Sequence, residues 1–124
     1  MQGIRVLLVD DERFNFEMLE IGLGNKYQLE YAANGHEGLS LSIEKKPDII
    51  LLDICMPGLD GYDTCRLLKN TPETNSIPII LLSGLDNDME VEEGFNAGCD
   101  DYLTKPFHMS ELATKIDVLS AKRG

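Results

Sequence analysis

Short, uninterrupted apolar runs alternate with longer amphipathic segments along this chain. The clearest run is Ile49-Ile50-Leu51-Leu52, which leads directly into Asp53 and then into a stretch broken by Pro57 and Gly58. Runs of this length between turn signals are typical of strands that are buried on both faces of a sheet. The segments predicted to be strands are 4–9, 27–32, 49–53, 77–82 and 101–103.

The segments between these runs carry apolar residues at the spacing of amphipathic helices. The predicted apolar faces are Phe14, Met18 and Ile21 in the first helix, Leu39 and Ile43 in the second, Cys65 and Leu68 in the third, Val91 and Phe95 in the fourth, and Leu112, Ile116 and Leu119 in the last. Asn34-Gly35 is predicted to form a turn, Asp60 to cap the third helix, and Gly98 to end the fourth in the left-handed conformation. Alternating strands and helices predict a single α/β domain over residues 1–124, a doubly wound, five-stranded parallel sheet with helices on both faces.

Charge and cysteine content narrow the function classes. The 124 residues include 11 Lys and Arg against 22 Asp and Glu, for a net charge of −11. Nucleic-acid surfaces need clustered basic residues, so direct nucleic-acid binding is excluded and cation binding is favoured. The 3 cysteines have no C-x-x-C spacing, which argues against a zinc site or a disulfide framework and fits a reducing cytoplasm. No apolar run has the length of a membrane span, so no membrane association is expected.

Polar residues interrupt the apolar pattern at the ends of the predicted strands. Asp10 and Asp11 follow the first strand, Asp53 ends the third, Ser83 ends the fourth, and Lys105 follows the fifth. Ligands of open parallel sheets bind outside the carboxyl ends of the strands. Converging carboxylates favour a hard cation such as Mg²⁺, and the lysine and the hydroxyl suit an anion beside it. Together these groups describe phosphoryl transfer to an aspartate.

Each of these residues also has an ordinary structural explanation. The acidic pair could cap the first helix, Asp53 and Ser83 could begin turns, and Lys105 could be a solvated surface residue. The coincidence of suitable groups at four strand ends favours the functional interpretation.

The chain resembles the receiver domain of two-component response regulators over essentially its whole length. The residues that carry the resemblance are Asp10-Asp11, Asn34-Gly35, Asp53-x-x-Met56-Pro57-x-x-x-Gly61, Ser83, Ala97-Gly98-Cys99-Asp100-Asp101-Tyr102 and Lys105-Pro106-Phe107. The resemblance implies a flavodoxin-like fold with strand order 2-1-3-4-5. It also implies a signalling switch that is not an enzyme beyond its own phosphorylation and dephosphorylation.

By this resemblance Asp53 is the phosphoacceptor and lies at a metal site. Asp10, Asp11 and Asp53 are the expected carboxylate ligands of Mg²⁺, with Asp10 acting through water, and the backbone carbonyl of Cys55 completes the protein ligands. Mn²⁺ can substitute for Mg²⁺.

The same resemblance assigns the remaining site residues. Ser83, Gly84 and Lys105 bind the phosphoryl group. Ser83 and Tyr102 form the switch, because Tyr102 corresponds to the aromatic residue that moves inward on activation. Cys55 and Leu85 occupy the two positions that influence how fast the phosphate is lost.

The implied partners are a histidine kinase or a histidine phosphotransfer protein, and a downstream effector protein or an attached output domain. The phosphodonor is expected to pack on the first helix near Arg13, Phe14 and Asn15. The output surface is expected on helix 4, strand 5 and helix 5. The sequence is compatible both with a stand-alone receiver and with a piece of a longer regulator.

Three other interpretations were compared with this one. A haloacid-dehalogenase-type phosphatase needs a second Asp two residues after the first, but Glu12 occupies that position. A flavodoxin-like FMN carrier needs a phosphate-binding loop rich in Ser, Thr and Gly after the first strand, where this chain has acids. The alternative that stays open is a receiver-fold interaction module that works without phosphorylation.

Overall fold

The computed structural model describes residues 3–54, 58, 60–84 and 88–123. The strands and helices in chain order are β1 (Arg5–Val9), α1 (Arg13–Leu23), β2 (Gln28–Ala32), α2 (Gly35–Lys45), β3 (Ile49–Asp53), α3 (Gly61–Lys69), β4 (Ile79–Ser83), α4 (Asp88–Asn96), β5 (Asp101–Thr104) and α5 (Met109–Arg123). The five strands pair in parallel in the order β2-β1-β3-β4-β5. The predicted fold class and strand order are confirmed.

Alternate side chains along each central strand enter one of two cores on opposite faces of the sheet. Successive residues of a strand point to opposite faces, so an unbroken apolar run supplies both cores. On one face, Leu7, Ile50 and Leu81 pack with residues of α2, α3 and α4. On the other face, Leu8 and Leu51 pack with residues of α1 and α5. Among the described residues, no helix has both the length and the apolar character that a bilayer crossing requires.

The predicted apolar face of α1 is wrong. Phe14, Met18 and Ile21 are 64%, 42% and 79% exposed, and the residues that enter the core are instead Phe16, Leu19 and Leu23. The helix carries two apolar stripes, and helical periodicity alone cannot tell which of them faces the sheet. The outward stripe leaves a row of large apolar side chains in solvent.

The prediction that Ile43 of α2 faces the core is also wrong. Ile43 is 36% exposed, whereas Gly35, Gly38 and Ser42 are buried. A Cβ at Gly38 would lie only 2.8 Å from Cγ2 of Val9, so the helix approaches the sheet through its small residues.

The prediction for α4 is only half right. Val91 packs against the core as expected, but Phe95 is 47% exposed. Its close approach is made by Gly94, where a Cβ would meet the side chains of Leu81 and Tyr102 at 2.9 and 3.0 Å. The glycine therefore lets the Tyr102 ring pack directly beneath α4.

Helix ends follow the predicted chemistry with one addition. The Asp60 carboxylate accepts from the backbone N–H of Asp63 (2.9 Å), and Gly98 has φ +104°, as expected for residues that cap and end helices. Asn34 does more than form the predicted turn, since its side chain caps α2 by accepting from the N–H of Glu37 (2.9 Å).

The α1–β2 connection is tied to α5 by a buried tyrosine. The Tyr27 hydroxyl donates to Asp117 Oδ1 (2.7 Å), and Lys26 Nζ donates to Asp117 Oδ2 (2.9 Å). The hydrogen bonds from Tyr27 and Lys26 lower the pKa of Asp117. A carboxyl group with a lowered folded-state pKa stabilises the fold above the usual pKa of aspartate, and this stabilisation is lost as the pH falls through the folded-state value.

We expect Tyr27→Phe to lower the free energy of unfolding at pH 7 by about 1 kcal/mol, because Asp117 stays accessible to water after the bond is lost. The difference from wild type should shrink as Asp117 becomes protonated below its folded-state pKa. Urea denaturation across the acid range measures both effects. In an Asp117→Asn background, the effect of Tyr27→Phe on stability should depend little on pH. An undiminished pH dependence would contradict the assignment of this effect to the Tyr27–Asp117 hydrogen bond.

Candidate functional site

Three carboxylates meet where the winding of the sheet reverses. Strand β1 lies between β2 and β3, so Asp10, directly after β1, and Asp53, the last residue of β3, share one edge of the sheet. Asp10, Asp11 and Asp53 each offer a carboxylate oxygen within 4.8 Å of the other two. Asp10 and Asp53 are buried and Asp11 is exposed. The fold thus brings together the three carboxylates predicted as metal ligands.

Lys105 provides the positive charge beside the buried carboxylate of Asp53. Its Nζ donates to Asp53 Oδ1 at 3.2 Å, and its backbone N–H donates to the carbonyl of Ser83 at 2.7 Å. Burial raises the pKa of Asp53, the ion pair with Lys105 opposes this, and repulsion from Asp10 and Asp11 adds to it. The net result is a raised pKa, because burial, the largest of these causes, outweighs the ion pair with Lys105.

Asp10 is fixed by hydrogen bonds from three parts of the chain. Its Oδ1 accepts from the backbone N–H of Glu12 (2.8 Å) and its Oδ2 from Asn15 Nδ2 in α1 (3.0 Å). Its carbonyl accepts from the Tyr31 hydroxyl (2.7 Å), and its N–H donates to the carbonyl of Ala32 (3.0 Å). Asp10 and Asp11 are therefore not the N-cap of α1. The N-cap residue is Glu12, and its side chain makes no capping hydrogen bond.

The sequence did not predict the contacts of Asn15 and Tyr31 with Asp10. Tyr31 reaches Asp10 only because β2 pairs with β1, which no local pattern reveals. Asn15 lies five positions after Asp10, and that spacing carries no helix-capping signature. The family resemblance predicts only that Asn15 lies on the surface that contacts the phosphodonor.

A close backbone approach explains the glycine of the Asp53 loop. The N–H of Gly61 donates to the carbonyl of Ile54 (2.9 Å), and a Cβ at Gly61 would lie 2.5 Å from both the Asp53 carbonyl oxygen and Ile54 Cα. These are backbone atoms that cannot move aside, so only glycine permits α3 to begin this close to Asp53.

The predicted phosphoryl-binding and switch residues lie along the same edge. Ser83 is the last residue of β4, is 1% exposed, and lies opposite Thr104 of β5. Gly84 follows it and is exposed. Tyr102 lies on β5 opposite Leu81 and is 9% exposed, so its ring occupies the inward position in this structure.

A second polar cluster lies below α4. The Tyr62 hydroxyl lies 3.2 Å from the carbonyl oxygen of Glu90 and 3.1 Å from Glu90 Oε2. Burial and hydrogen bonds with Tyr102 and Glu90 raise the pKa of Tyr62. This cluster connects α3, α4 and β5, and no pattern in the sequence indicates it.

A cavity of about 250 Å³ adjoins the site between α1 and the chain that follows β5. Asp10, Asn15 and Lys105 form its polar part, and side chains such as Met18 and Phe107 form its apolar part. The peptide bond between Lys105 and Pro106, on this side of the site, is cis. Cys55, Met56, Pro57 and Leu85, which were assigned roles or motif positions from the sequence, lie outside the described residues.

The donor set fits magnesium. Mg²⁺ prefers hard oxygen ligands and binds through a small number of carboxylates while keeping several waters. The three carboxylates supply such oxygens, and no soft ligand is among them. Metal binding would also relieve the repulsion from Asp10 and Asp11, which adds to the effect of burial in raising the pKa of Asp53.

In EDTA at pH 7, Asp53→Asn should increase the free energy of unfolding by about 1 kcal/mol, at the low end of the cost of an uncompensated buried polar group. A raised folded-state pKa means that the folded protein binds the extra proton, so wild-type stability falls as the pH rises through that value. The gain from the substitution should therefore vanish below the usual pKa of aspartate. Denaturation curves at pH 3 and pH 7 measure this difference.

The matched control is Asp63→Asn, since Asp63 is exposed on α3. It should change the free energy of unfolding by no more than about 0.5 kcal/mol at either pH. Equal stabilities of wild type and Asp53→Asn at pH 7 would show that Lys105 fully offsets the buried charge.

Comparisons with known proteins identify relatives of this chain. The family model described as response regulator receiver domain matches residues 6–117. Response regulator MprA of Mycolicibacterium vanbaalenii is 41% identical over 117 residues, which cover 94% of this chain and 50% of that protein. The chain therefore spans about half the length of this curated relative.

Solved structures agree with the sequence relatives. The receiver domain of a Francisella response regulator has 31% identity and a TM-score of 0.90, over 98% of this chain and 100% of that one. The receiver domain of a sensor histidine kinase from Pseudomonas aeruginosa PAO1 has 30% identity and a TM-score of 0.87, over 96% and 98% of the two chains. That structure has a magnesium ion coordinated in its active-site cleft.

The family match begins in β1 and ends in α5, so it includes both strands that carry the clustered carboxylates and the loop that carries Lys105. The chain belongs to the response regulator receiver domains of two-component systems, a family whose general function is that of a phosphorylation-controlled signalling switch.

Proposed function

We propose that this chain accepts a phosphoryl group on Asp53 from the phosphohistidine of a histidine kinase or a histidine phosphotransfer protein. The observation that carries the proposal is a buried carboxylate 3.2 Å from Lys105, inside a cluster of three acids at the switch point of the sheet. Such a carboxylate is held at the end of a buried strand, inside a confined anionic site. That arrangement suits a nucleophile better than a structural ion pair.

Asp10, Asp11 and Asp53, with the backbone carbonyl of Cys55, would hold Mg²⁺, for which Mn²⁺ can substitute. When bound, the cation supplies positive charge that neutralises the oxygens of the transferring phosphoryl group. Receiver domains as a family bind Mg²⁺ in an acidic pocket of this kind.

Each side chain of the site has a separate role in the transfer. A carboxylate oxygen of Asp53 forms the new O–P bond while the P–N bond of the phosphohistidine breaks, and the imidazole nitrogen leaves with the bonding electron pair. Lys105 moves from the ion pair with Asp53 to the phosphoryl oxygens, and Ser83 and Gly84 bind the remaining oxygens. No proton needs to leave Asp53, because it reacts as the carboxylate.

Phosphorylation would act on an equilibrium between two conformations. The phosphoryl group adds about −1.5 to −2 charge and draws the Ser83 hydroxyl towards it. The conformation with Tyr102 inward, beneath Gly94, is then favoured, and the surface of α4, β5 and α5 changes with it. This surface would control a separate effector or an attached output domain, which fits relatives about twice as long as this chain.

We assign no catalytic turnover to the domain beyond self-phosphorylation and dephosphorylation at Asp53. We place the domain in the cytoplasm, where the kinase domain of its phosphodonor would act. The whole of residues 1–124 forms the receiver unit in this proposal.

The first test is the intact mass after incubation with acetyl phosphate or phosphoramidate and Mg²⁺. Wild type should gain one phosphoryl group, and neither Asp53→Asn nor wild type in EDTA should gain it. Asp63→Asn, an exposed aspartate on α3, should be modified like wild type. An adduct that persists without Asp53 would overturn the acceptor assignment, and no adduct at all would favour the interaction module that works without phosphorylation.

The exposed apolar stripe of α1 supports docking of the phosphodonor beside the site. Phe14, Met18 and Ile21 form this stripe, and Met18 also contributes to the cavity next to Asp10 and Lys105. A row of large exposed apolar side chains next to a reactive group is typical of a surface that a partner protein covers.

The double substitution Phe14→Ala and Ile21→Ala should slow transfer from autophosphorylated histidine kinases by about tenfold, because partner contacts of this kind concentrate in a few apolar residues. Its rate with acetyl phosphate should stay unchanged, since the small donor needs no docking. Time courses with a kinase panel and with acetyl phosphate give the two rates. The control Val118→Ala removes an apolar side chain that is 50% exposed on α5 and should leave both rates unchanged. Equal slowing with both donors would indicate a damaged site and not a lost docking surface.

A further inference from the structure

The carboxylate of Asp10 is held by a neutral side chain, unlike that of Asp53. Asp53 is paired with the cation of Lys105 (3.2 Å), whereas Asp10 Oδ2 accepts from the amide of Asn15 (3.0 Å). An amide donor fixes the direction of a carboxylate without neutralising its charge. Asn15 therefore restrains the carboxylate of Asp10 without placing a positive charge beside it.

This restraint opposes the electrostatic repulsion among the three clustered carboxylates. Asp10, Asp11 and Asp53 have oxygens within 4.8 Å of one another, and like charges that close repel. Asp10 can relieve the repulsion by rotating its carboxylate, while its backbone is anchored by Tyr31 and Ala32. The bonds from the Glu12 N–H to Oδ1 and from Asn15 to Oδ2 oppose this rotation. Of the two donors, only the Asn15 amide belongs to a side chain.

We infer that Asn15 is a positioning residue for the divalent cation: it holds Asp10 in the orientation that the cation requires and thereby sets the affinity for Mg²⁺ over larger cations. The inference rests on the proposed Mg²⁺ site. Mg²⁺ demands near-ideal octahedral geometry, whereas Ca²⁺ accepts variable geometry and more ligands. If the Asp10 carboxylate is less precisely oriented, the affinity of the site for Mg²⁺ should therefore fall more than its affinity for Ca²⁺.

The test is calorimetric titration of the metal-free chain of residues 1–124 with MgCl2 and with CaCl2, at a temperature where every variant is folded. Asn15→Ala should raise the Kd for Mg²⁺ about tenfold and the Kd for Ca²⁺ by about twofold or less. Asn15→Gln keeps an amide donor on a longer side chain and should recover part of the Mg²⁺ affinity. Asn96→Ala, which removes an exposed asparagine at the end of α4, should leave both affinities unchanged.

The outcomes separate this inference from the proposal on which it rests. If wild type binds neither cation, the metal site itself fails. If wild type binds Mg²⁺ and Asn15→Ala binds it equally well, the metal site stands and the positioning role is overturned. An equal loss of affinity for Mg²⁺ and Ca²⁺ would also overturn it, because a general structural defect does not distinguish the two cations.

Discussion

Three carboxylates held within 4.8 Å of one another are the constraint on which the rest of this molecule depends. Two of them are buried, and burial raises the pKa of Asp53 despite its ion pair with Lys105. A fold can tolerate such a cluster only if its surroundings are rigid, since mobile side chains would move apart. The parallel sheet provides this rigidity, because Asp53 ends a strand whose residues are all buried.

Several neighbouring elements support the site among the residues that the structure describes. Tyr31 and Ala32 of β2 hold the backbone of Asp10, Asn15 of α1 holds its carboxylate, and Gly61 lets α3 begin against the backbone of Asp53. These contacts come from three different elements, α1, β2 and α3. The site is consequently a property of the assembled sheet and not of any one loop.

The two faces of the domain differ in what they expose. On the side of α1, an apolar stripe that the core does not use lies beside the cavity that reaches Asp10 and Lys105. On the side of α4, the Tyr62, Glu90 and Tyr102 cluster and the small Gly94 bring the helix close to β5. The proposed docking of the phosphodonor on α1 and the proposed change at α4 and β5 therefore involve different sets of contacts.

The sequence by itself determined the element order, the parallel sheet and the positions of Asp10, Asp53, Ser83 and Lys105 at strand ends. These features are local, because apolar runs and the polar residues that end them are readable without knowledge of neighbours. Only the tertiary structure decided which stripe of α1 is buried, because a helix with two apolar stripes can pack either one against the sheet. It also decided that Ile43 and Phe95 lie outside, because Gly38 and Gly94 allow closer contact with the sheet than a large side chain would. The contacts of Tyr31 and Asn15 with Asp10 depend on the pairing of β1 with β2 and on the placement of α1, and such distances between side chains do not exist until the sheet has formed.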